Sequence, residues 1–263
     1  LWQHTGIHPD AVIGHSQGEI AAAHIAGALT LDDAAKISAL RSQTLTRLAG
    51  TGTMLSIPLP PHQLPPHTNI AAINSPTTTV ISGPTQQLHQ LHTHYQNQGI
   101  DARLIPVDYA SHSPHIEPLH QHILTQLATI NPQPATTPFH STLTTNNTDT
   151  TTLTPEYWYQ NLRHTVQFHP TIQKLLNTGH TTYIETSPHP VLTTAIQQTA
   201  DTTPHTINTI PTTHRNKGTH THYLHNAAQA HTHGTPWKPT TTHTQQTPTN
   251  LPTYPFQHHR YWL

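Results

Sequence analysis

The sequence VIGHSQGEI, at residues 12–20, says more about the fold than any other stretch of this chain. A short apolar run leads into Gly-x-Ser-x-Gly and a helix-forming run follows it, which is the pattern of a nucleophile elbow between a strand and a helix. Such a turn exposes Ser16 at a helix N-terminus, where the backbone N–H of Gln17 can stabilise negative charge on a carbonyl oxygen under attack. A tight turn without chemistry uses the same residue types. The pattern therefore predicts the turn and leaves its chemistry open.

The composition limits the possible classes of function. The chain has 263 residues, a formal net charge of -1 and 8% charged residues, so it lacks the broad basic surface that binds nucleic acid. No apolar stretch approaches the roughly 20 residues of a membrane span, and residues 1–15 lack the layout of a signal peptide. We therefore expect no membrane partner and a cytoplasmic protein. The chain has no cysteine, so covalent chemistry falls to Ser, Thr or His.

Histidine is unusually abundant, with 28 residues against 10 Lys plus Arg. Nucleotide drift is one explanation, because G-to-A changes convert Arg codons to His and Ala codons to Thr. Metal binding through the pairs His220/His222 and His231/His233 is the other. No carboxylate joins either pair and the histidines are scattered along the chain, so we favour drift and expect no metal site.

The elbow and the hydrophobic periodicity predict an α/β fold, in which a small α+β subdomain interrupts a core of the α/β-hydrolase type. Short strands around one helix, with a Pro-rich stretch in place of the first crossover, indicate a ferredoxin-like β-α-β-β-α-β order for the subdomain. Beyond residue 205, Thr, His and Pro dominate, which predicts an extended linker with one helix near Tyr223–Ala230. The predicted segments are the first part of the core (1–52), the ferredoxin-like subdomain (53–107), the second part of the core (108–204) and the linker (205–263).

A helix predicted over residues 31–48 carries an unusual arginine. A capping box at Thr30 marks its start, and Ile37 and Leu45 lie on its apolar side. Arg41 is four residues from each of them, so its side chain points inward or along the edge of a cleft. A guanidinium in such a place needs an anionic partner. That partner is either a structural Asp or Glu or a ligand, and the pattern does not choose between them.

The elbow, followed by Tyr-Ala-Ser-His at residues 109–112, resembles the acyltransferase domains of modular type I polyketide synthases. The similarity covers nearly the whole chain and includes further motifs. These are AAINSP (71–76), VISG (80–83), NLR (161–163), ETSPHPVL (185–192) and YPF (254–256). In that family the last motif belongs to a linker that wraps back after the acyltransferase body.

The resemblance implies a ping-pong transfer, in which Ser16 takes an acyl group from an acyl-CoA thioester and passes it to the phosphopantetheine thiol of an acyl carrier protein. His112 is then the general base and later the general acid, and Gln17 supplies an oxyanion N–H. The resemblance also implies that a backbone carbonyl, at the position matching Gln167, orients the imidazole of His112. The domain itself is expected to bind no cofactor.

The same resemblance implies residues that hold the substrate. Arg41 matches the family arginine that grips the free carboxylate of a malonyl-type acyl group, for which a planar guanidinium is suited, and His15 helps to position that group. Relatives with His-Ala-Phe-His generally take malonyl units, whereas Tyr109 and Ser111 match the methylmalonyl pattern. Serine in place of phenylalanine leaves room for one methyl group, which is worth about 1–3 kcal/mol in a hydrophobic pocket. We therefore expect a preference for methylmalonyl-CoA, with malonyl-CoA as the less favoured alternative.

The resemblance further implies a segment before residue 1, with an early strand and a Gly-Gln-Gly turn that supplies a second oxyanion N–H. We therefore expect this chain to be the C-terminal part of an acyltransferase, truncated at its N-terminus, with ketosynthase and linker domains as neighbours in one polypeptide. Two other functions remain open. One is a serine thioesterase or hydrolase that uses the same elbow, and the other is an inactive module fragment that acts only as a scaffold.

Overall fold

The structure, a computed structural model, describes residues 1–236. The motif at residues 254–256 and the end of the predicted linker lie outside the described residues. Within this range the strands form a four-stranded sheet and two short parallel pairs, with helices packed around them. None of the helices described is both long enough and apolar enough to cross a lipid bilayer.

The first part of the core places the elbow between a strand and a helix, as the sequence predicts. Its elements are β1 (Val12–Ile13), α1 (Gly18–Ile25) and α2 (Leu31–Leu45). Strand β1 pairs in parallel with β6 (Phe139–His140). The hydroxyl of Thr30 accepts a hydrogen bond from the backbone N of Asp33 at 3.0 Å, which caps α2. The helix predicted over 31–48 is an α-helix up to Leu45, and its last turn (Thr46–Leu48) is a 3-10 helix.

The subdomain has the predicted ferredoxin-like order of elements. These are β2 (Thr53–Ile57), β3 (Ile70–Ser75), β4 (Thr78–Gly83), α3 (Thr85–Asn97) and β5 (Arg103–Ile105). The strands form an antiparallel sheet in the order β3-β4-β2-β5. A 3-10 turn (Pro61–Gln63) stands where a first crossover helix would lie. Leu55, Ile81 and Leu88 are buried between the sheet and α3 and form the subdomain's own core.

The second part of the core returns the chain to the elbow. Its elements are α4 (His120–Gln126), β6, α5 (Pro155–Arg163), α6 (Phe168–Asn177), β7 (Thr182–Glu185) and α7 (Thr193–Ala200). Helices α1, α2, α4 and α5 share one apolar cluster that contains Phe139 and Trp158. Apolar residues of α6 and α7 share a second cluster with Ala72 of β3, and Ala72 forms a parallel bridge with Val166. The segment between α5 and α6 therefore lies between the subdomain and the elbow.

The predicted helix near Tyr223–Ala230 is present as α8 (His220–Thr232), but the prediction that the rest of the chain beyond residue 205 is extended and unpacked is wrong for the part that the structure describes. Strand β8 (Asn208–Pro211) pairs in parallel with β7, and helix α8 buries Tyr223 and Ala227 in a cluster with Trp2. The Trp2 indole also donates a hydrogen bond to Thr212 Oγ1 at 2.8 Å. The composition of this segment does not predict that it packs against the rest of the chain. A few apolar side chains at helical spacing and one row of backbone hydrogen bonds are enough to stabilise that packing.

Candidate active site

The elbow holds Ser16 in a backbone conformation that exposes its side chain. Ser16 has a φ of 54°, in the left-handed region that non-glycine residues seldom adopt. A Cβ at Gly14 would stand 2.1 Å from the backbone N of Glu19, so only glycine fits there. A Cβ at Gly18 would meet nothing within 4 Å. The turn therefore requires the first glycine of the motif on steric grounds and does not require the second.

Ser16 forms a dyad with His112, as the sequence resemblance implies. Ser16 Oγ lies 2.8 Å from His112 Nε2, and His112 Nδ1 lies 2.7 Å from the backbone carbonyl oxygen of His164. Because a carbonyl oxygen only accepts, Nδ1 carries the proton and donates it, which leaves Nε2 as the acceptor for the serine hydroxyl. The backbone N of His112 donates to Leu162 O at 2.9 Å, and the side-chain amide of Asn69 donates to His112 O at 2.8 Å. These contacts hold a residue whose φ is also positive, at 56°.

The carbonyl that orients His112 belongs to His164, and the prediction of Gln167 is wrong. Helix α5 ends at Arg163, and His164 has an extended backbone (φ -98°, ψ 162°). Its carbonyl is therefore free to accept from the imidazole. The carbonyl of Gln167 instead accepts from the backbone N of Thr171 at 3.2 Å, in the first turn of α6, and the Gln167 N–H donates to Thr142 O at 2.7 Å.

The surroundings of His112 favour its neutral form. Burial lowers its pKa to about 3, and the positive charge of Arg41 contributes in the same direction. The hydrogen bond to the His164 carbonyl opposes both effects. At neutral pH Nε2 of the imidazole is therefore unprotonated, which is the protonation state that a general base needs.

Arg41 lies at the dyad, on the inward face of α2 that the periodicity predicts. Its side chain is buried, its Nη2 is 3.3 Å from Ser16 Oγ, and its Nη1 donates to Asn161 Oδ1 at 2.7 Å. Burial lowers its pKa to about 10, so it remains charged at neutral pH. Within residues 1–236, no Asp or Glu forms an ion pair with it. The structure therefore contains no direct carboxylate partner for Arg41 of the kind that a purely structural role predicts.

The Gln17 N–H lies where the oxyanion donor is expected, immediately after the nucleophile. It has no hydrogen-bond partner in the described part of the chain. Gln17 is an exposed residue. One backbone donor, one charged guanidinium and a Ser–His dyad thus meet at the elbow.

Residues 1–236 match the family described as "Acyl transferase domain". The chain belongs to this family. Polyketide synthase GfsA of Streptomyces halstedii is 46% identical over 275 residues, which cover all of this chain and 4% of the relative. The acyltransferase domain from module 8 of the salinomycin polyketide synthase superimposes with a TM-score of 0.87 at 43% identity, over 90% of this chain and 58% of that one. A loading acyltransferase from the avermectin modular polyketide synthase gives a TM-score of 0.84 at 39% identity, over 88% and 75% of the two chains.

Two of the predicted substrate residues of this acyltransferase-family chain lie in the motif at 109–112. Ser111 is 7% exposed, and its hydroxyl donates to Met54 Sδ at 3.2 Å, so the subdomain strand β2 reaches the residue next to His112. Tyr109 is half-buried against the core, and it lies near enough to Arg41 to influence the pKa of the guanidinium. Ser111 is therefore buried beside His112 in the chain, and Tyr109 lies near Arg41.

His15 joins the elbow to the subdomain. Its Nε2 is 2.8 Å from Asn74 Oδ1, to which it donates, and its ring meets Phe168 edge-on with centroids 5.5 Å apart. Burial lowers the pKa of His15. The hydrogen bond to Asn74 occupies the Nε2 atom, so His15 links two parts of the fold beside the nucleophile.

Three residues of the site have no role in the sequence interpretation: His164, Asn161 and Glu19. Asn161 lies in the NLR motif, which marks it as a candidate without indicating that it contacts Arg41. Glu19 is a carboxylate in the first turn of a helix that otherwise reads as apolar, and it is 0% exposed. A carboxylate among the apolar residues of a buried helix indicates a polar network, because a buried charge needs hydrogen-bond or ion-pair partners.

The histidine pairs at 220/222 and 231/233 lie at the two ends of helix α8. Among residues 1–236, no three His, Asp or Glu side chains are placed to hold a metal ion together. His222 instead meets His214 edge-on, with ring centroids 5.3 Å apart.

Proposed function

We propose that this chain provides the acyltransferase activity of a polyketide synthase module, moving an acyl group from CoA to the phosphopantetheine thiol of an acyl carrier protein. The observation that carries the proposal is the distance of 2.8 Å between Ser16 Oγ and Nε2 of His112, an imidazole anchored at Nδ1. The family match and the names of the relatives, which are polyketide synthases, support the biological setting.

In the first half-reaction, Ser16 Oγ attacks the thioester carbonyl carbon while its proton moves to His112 Nε2. The Gln17 N–H stabilises the oxyanion, and the His164 carbonyl stabilises the imidazolium through Nδ1–H. The carbon–sulfur bond then breaks, and the departing CoA sulfur takes the proton from Nε2. In the second half-reaction the carrier thiol gives its proton to His112 Nε2, and its sulfur attacks the carbonyl carbon of the Ser16 ester. The ester carbon–oxygen bond then breaks, and Ser16 Oγ takes the proton from Nε2, which yields free serine and the acylated carrier.

The acyl group is of the malonyl type in this proposal, and methylmalonyl is the preferred extender. Arg41 supports the carboxylate requirement, because its Nη2 stands 3.3 Å from the nucleophile and the guanidinium carries no competing ion pair within residues 1–236. Ser111 supports the methyl preference, because a small side chain packed against Met54 leaves more room near the acyl α-carbon than phenylalanine would.

The partners in this proposal are methylmalonyl-CoA, an acyl carrier protein, and ketosynthase and linker domains in the same polypeptide, in the cytoplasm. No nucleic acid, membrane or resident cofactor takes part. The chain spans 4% of the length of GfsA, and this ratio suits a single domain of a multifunctional enzyme.

The direct test is incubation of the complete polypeptide that contains these residues with methylmalonyl-CoA and a phosphopantetheinylated carrier protein. Mass spectrometry of the intact carrier should show the methylmalonyl adduct, and Ser16→Ala should abolish it. Free methylmalonic acid without acylated carrier would identify a thioesterase or hydrolase instead. Absence of any Ser16 adduct in a folded enzyme would favour the scaffold role.

A further inference from the structure

Glu19 is a buried carboxylate that the proposed reaction does not use. It lies in the first turn of α1, three residues after Ser16, and is 0% exposed. Its hydrogen-bond partners within residues 1–236 do not include the serine hydroxyl or the imidazole. Thr142 donates to its Oε1 from the backbone N (2.5 Å) and from the hydroxyl (2.6 Å). Tyr157 Oη donates to its Oε2 at 2.5 Å. Such a fully satisfied carboxylate in the protein interior fixes the groups that surround it.

One further donor connects Glu19 to the guanidinium. Asn161 Nδ2 donates to Glu19 Oε2 at 3.0 Å, and Asn161 Oδ1 accepts from Arg41 Nη1 at 2.7 Å. Asn161 Nδ2 also donates to the backbone carbonyl of Ser16, at the longer distance of 3.4 Å. Glu19 is therefore the nearer of two acceptors that set which end of the Asn161 amide faces Arg41, because the reversed amide would place its oxygen against Glu19 and its NH2 group against a cation. The correct orientation leaves Nη2 of Arg41 directed at Ser16 Oγ.

The same contacts locate the end of α5. Tyr157 and Asn161 lie on successive turns of this helix and both bond to Glu19. Three residues beyond Asn161, the carbonyl of His164 holds Nδ1 of His112. All of the groups that contact the carboxylate are donors, which suits an ionised acceptor, although burial raises the pKa of Glu19 against the effect of these hydrogen bonds.

We propose that Glu19 is a positioning residue for the acyl-group carboxylate: through Asn161 it fixes the direction in which Arg41 presents its guanidinium beside Ser16. This inference rests on the proposed function, in which Arg41 binds a malonyl-type group. Glu19 stays out of direct ion pairing with Arg41, so it orients the cation and leaves its charge available to the substrate.

The test compares the acylation of Ser16 by methylmalonyl-CoA and by acetyl-CoA, which lacks the carboxylate. Glu19→Gln keeps the size of the side chain but turns one acceptor into an NH2 donor that opposes the donors around it. We expect the preference for methylmalonyl-CoA, as the ratio of the two kcat/KM values, to fall about 10-fold or more, in line with the loss of a hydrogen bond to a charged group. The KM for methylmalonyl-CoA should rise more than kcat falls.

Tyr157→Phe is the matched control, because it removes a different donor from the same carboxylate and leaves the Glu19–Asn161 contact in place. It should lower the melting temperature without changing the substrate ratio. The inference would be overturned if Glu19→Gln left the ratio of the two kcat/KM values unchanged. Equal losses of kcat/KM for both thioesters would count as an unchanged ratio. If Glu19→Gln does not fold, Asn161→Leu cuts the same link, and an unchanged ratio in that variant has the same consequence.

Arg41→Ala distinguishes a failure of the positioning role of Glu19 from a failure of the proposed substrate class. If it abolishes the preference for methylmalonyl-CoA and Glu19→Gln does not reduce it, the positioning role fails and the proposed function stands. If Arg41→Ala itself leaves the preference unchanged, the proposed substrate class fails and the role of Glu19 fails with it.

Discussion

The state of His112 predicts an unusual pH profile for the acylation of Ser16. The general base must be neutral, and burial together with the Arg41 charge holds its pKa at about 3. Because the pKa is lowered, the active base form persists down to that value as the pH falls. At about pH 5 only about 1% of the imidazole would be protonated, whereas a histidine with the ordinary pKa of about 6.5 would be about 97% protonated and the rate would fall ~30-fold.

The measurement is the release of CoA in a single turnover of methylmalonyl-CoA, between about pH 5 and about pH 8, with circular dichroism to confirm that the protein stays folded. We expect a rate that is nearly constant across this range. A decline with a midpoint near the ordinary histidine pKa would contradict this expectation, because it would show that the folded protein does not hold His112 neutral.

A variant tests the cause of the shift. Arg41→Gln removes the nearby positive charge, so the pKa of His112 should rise, and the fall in rate should move to higher pH. Acetyl-CoA serves as the substrate for this variant, because it does not need the guanidinium. An unchanged profile would show that the charge of Arg41 makes no measurable contribution to the shift.

Three further changes have definite expected outcomes. Arg41→Ala should lower kcat/KM for methylmalonyl-CoA by about 10²–10⁴ and for acetyl-CoA by less than about 10-fold, because two charge-assisted hydrogen bonds are lost only with the carboxylated substrate; equal losses would exclude the carboxylate role. Ser111→Phe should shift the kcat/KM ratio toward malonyl-CoA by about 10-fold or more, and an unchanged ratio would contradict the pocket argument. Gly14→Ala should prevent correct folding or abolish Ser16 acylation, since its Cβ would stand 2.1 Å from Glu19 N, while Gly18→Ala, with no atom within 4 Å, should be tolerated; equal tolerance of both would refute the steric account of the elbow.

Much of the site could be predicted from the sequence because its residues lie in short, local patterns. The elbow requires a particular backbone turn, which Gly14 encodes within a few residues. The inward direction of Arg41 follows from its spacing to Ile37 and Leu45 on one helix. The choice of His112 among 28 histidines came from the family resemblance, since composition does not distinguish one imidazole from another.

The tertiary structure alone decided the contacts that orient these groups. Which carbonyl holds His112 depends on the residue at which α5 ends, and a shift of three residues separates His164 from the predicted Gln167. The link from Glu19 through Asn161 to Arg41 joins residues from three helices. The hydrophobic periodicity of one sequence segment does not predict a hydrogen bond between that segment and another one.

The last part of the described chain shows the same division. Local sterics and the spacing of apolar residues specify the turn at Ser16, the inward face of α2 and the ferredoxin-like order of the subdomain, so these features can be predicted from the sequence. The docking of residues 208–232 as β8 and α8 depends instead on contacts with distant parts of the fold. Their Thr- and His-rich composition is compatible with an extended chain, and the free energy that folds them comes from backbone pairing with β7 and burial against Trp2, both of which are supplied by distant parts of the sequence.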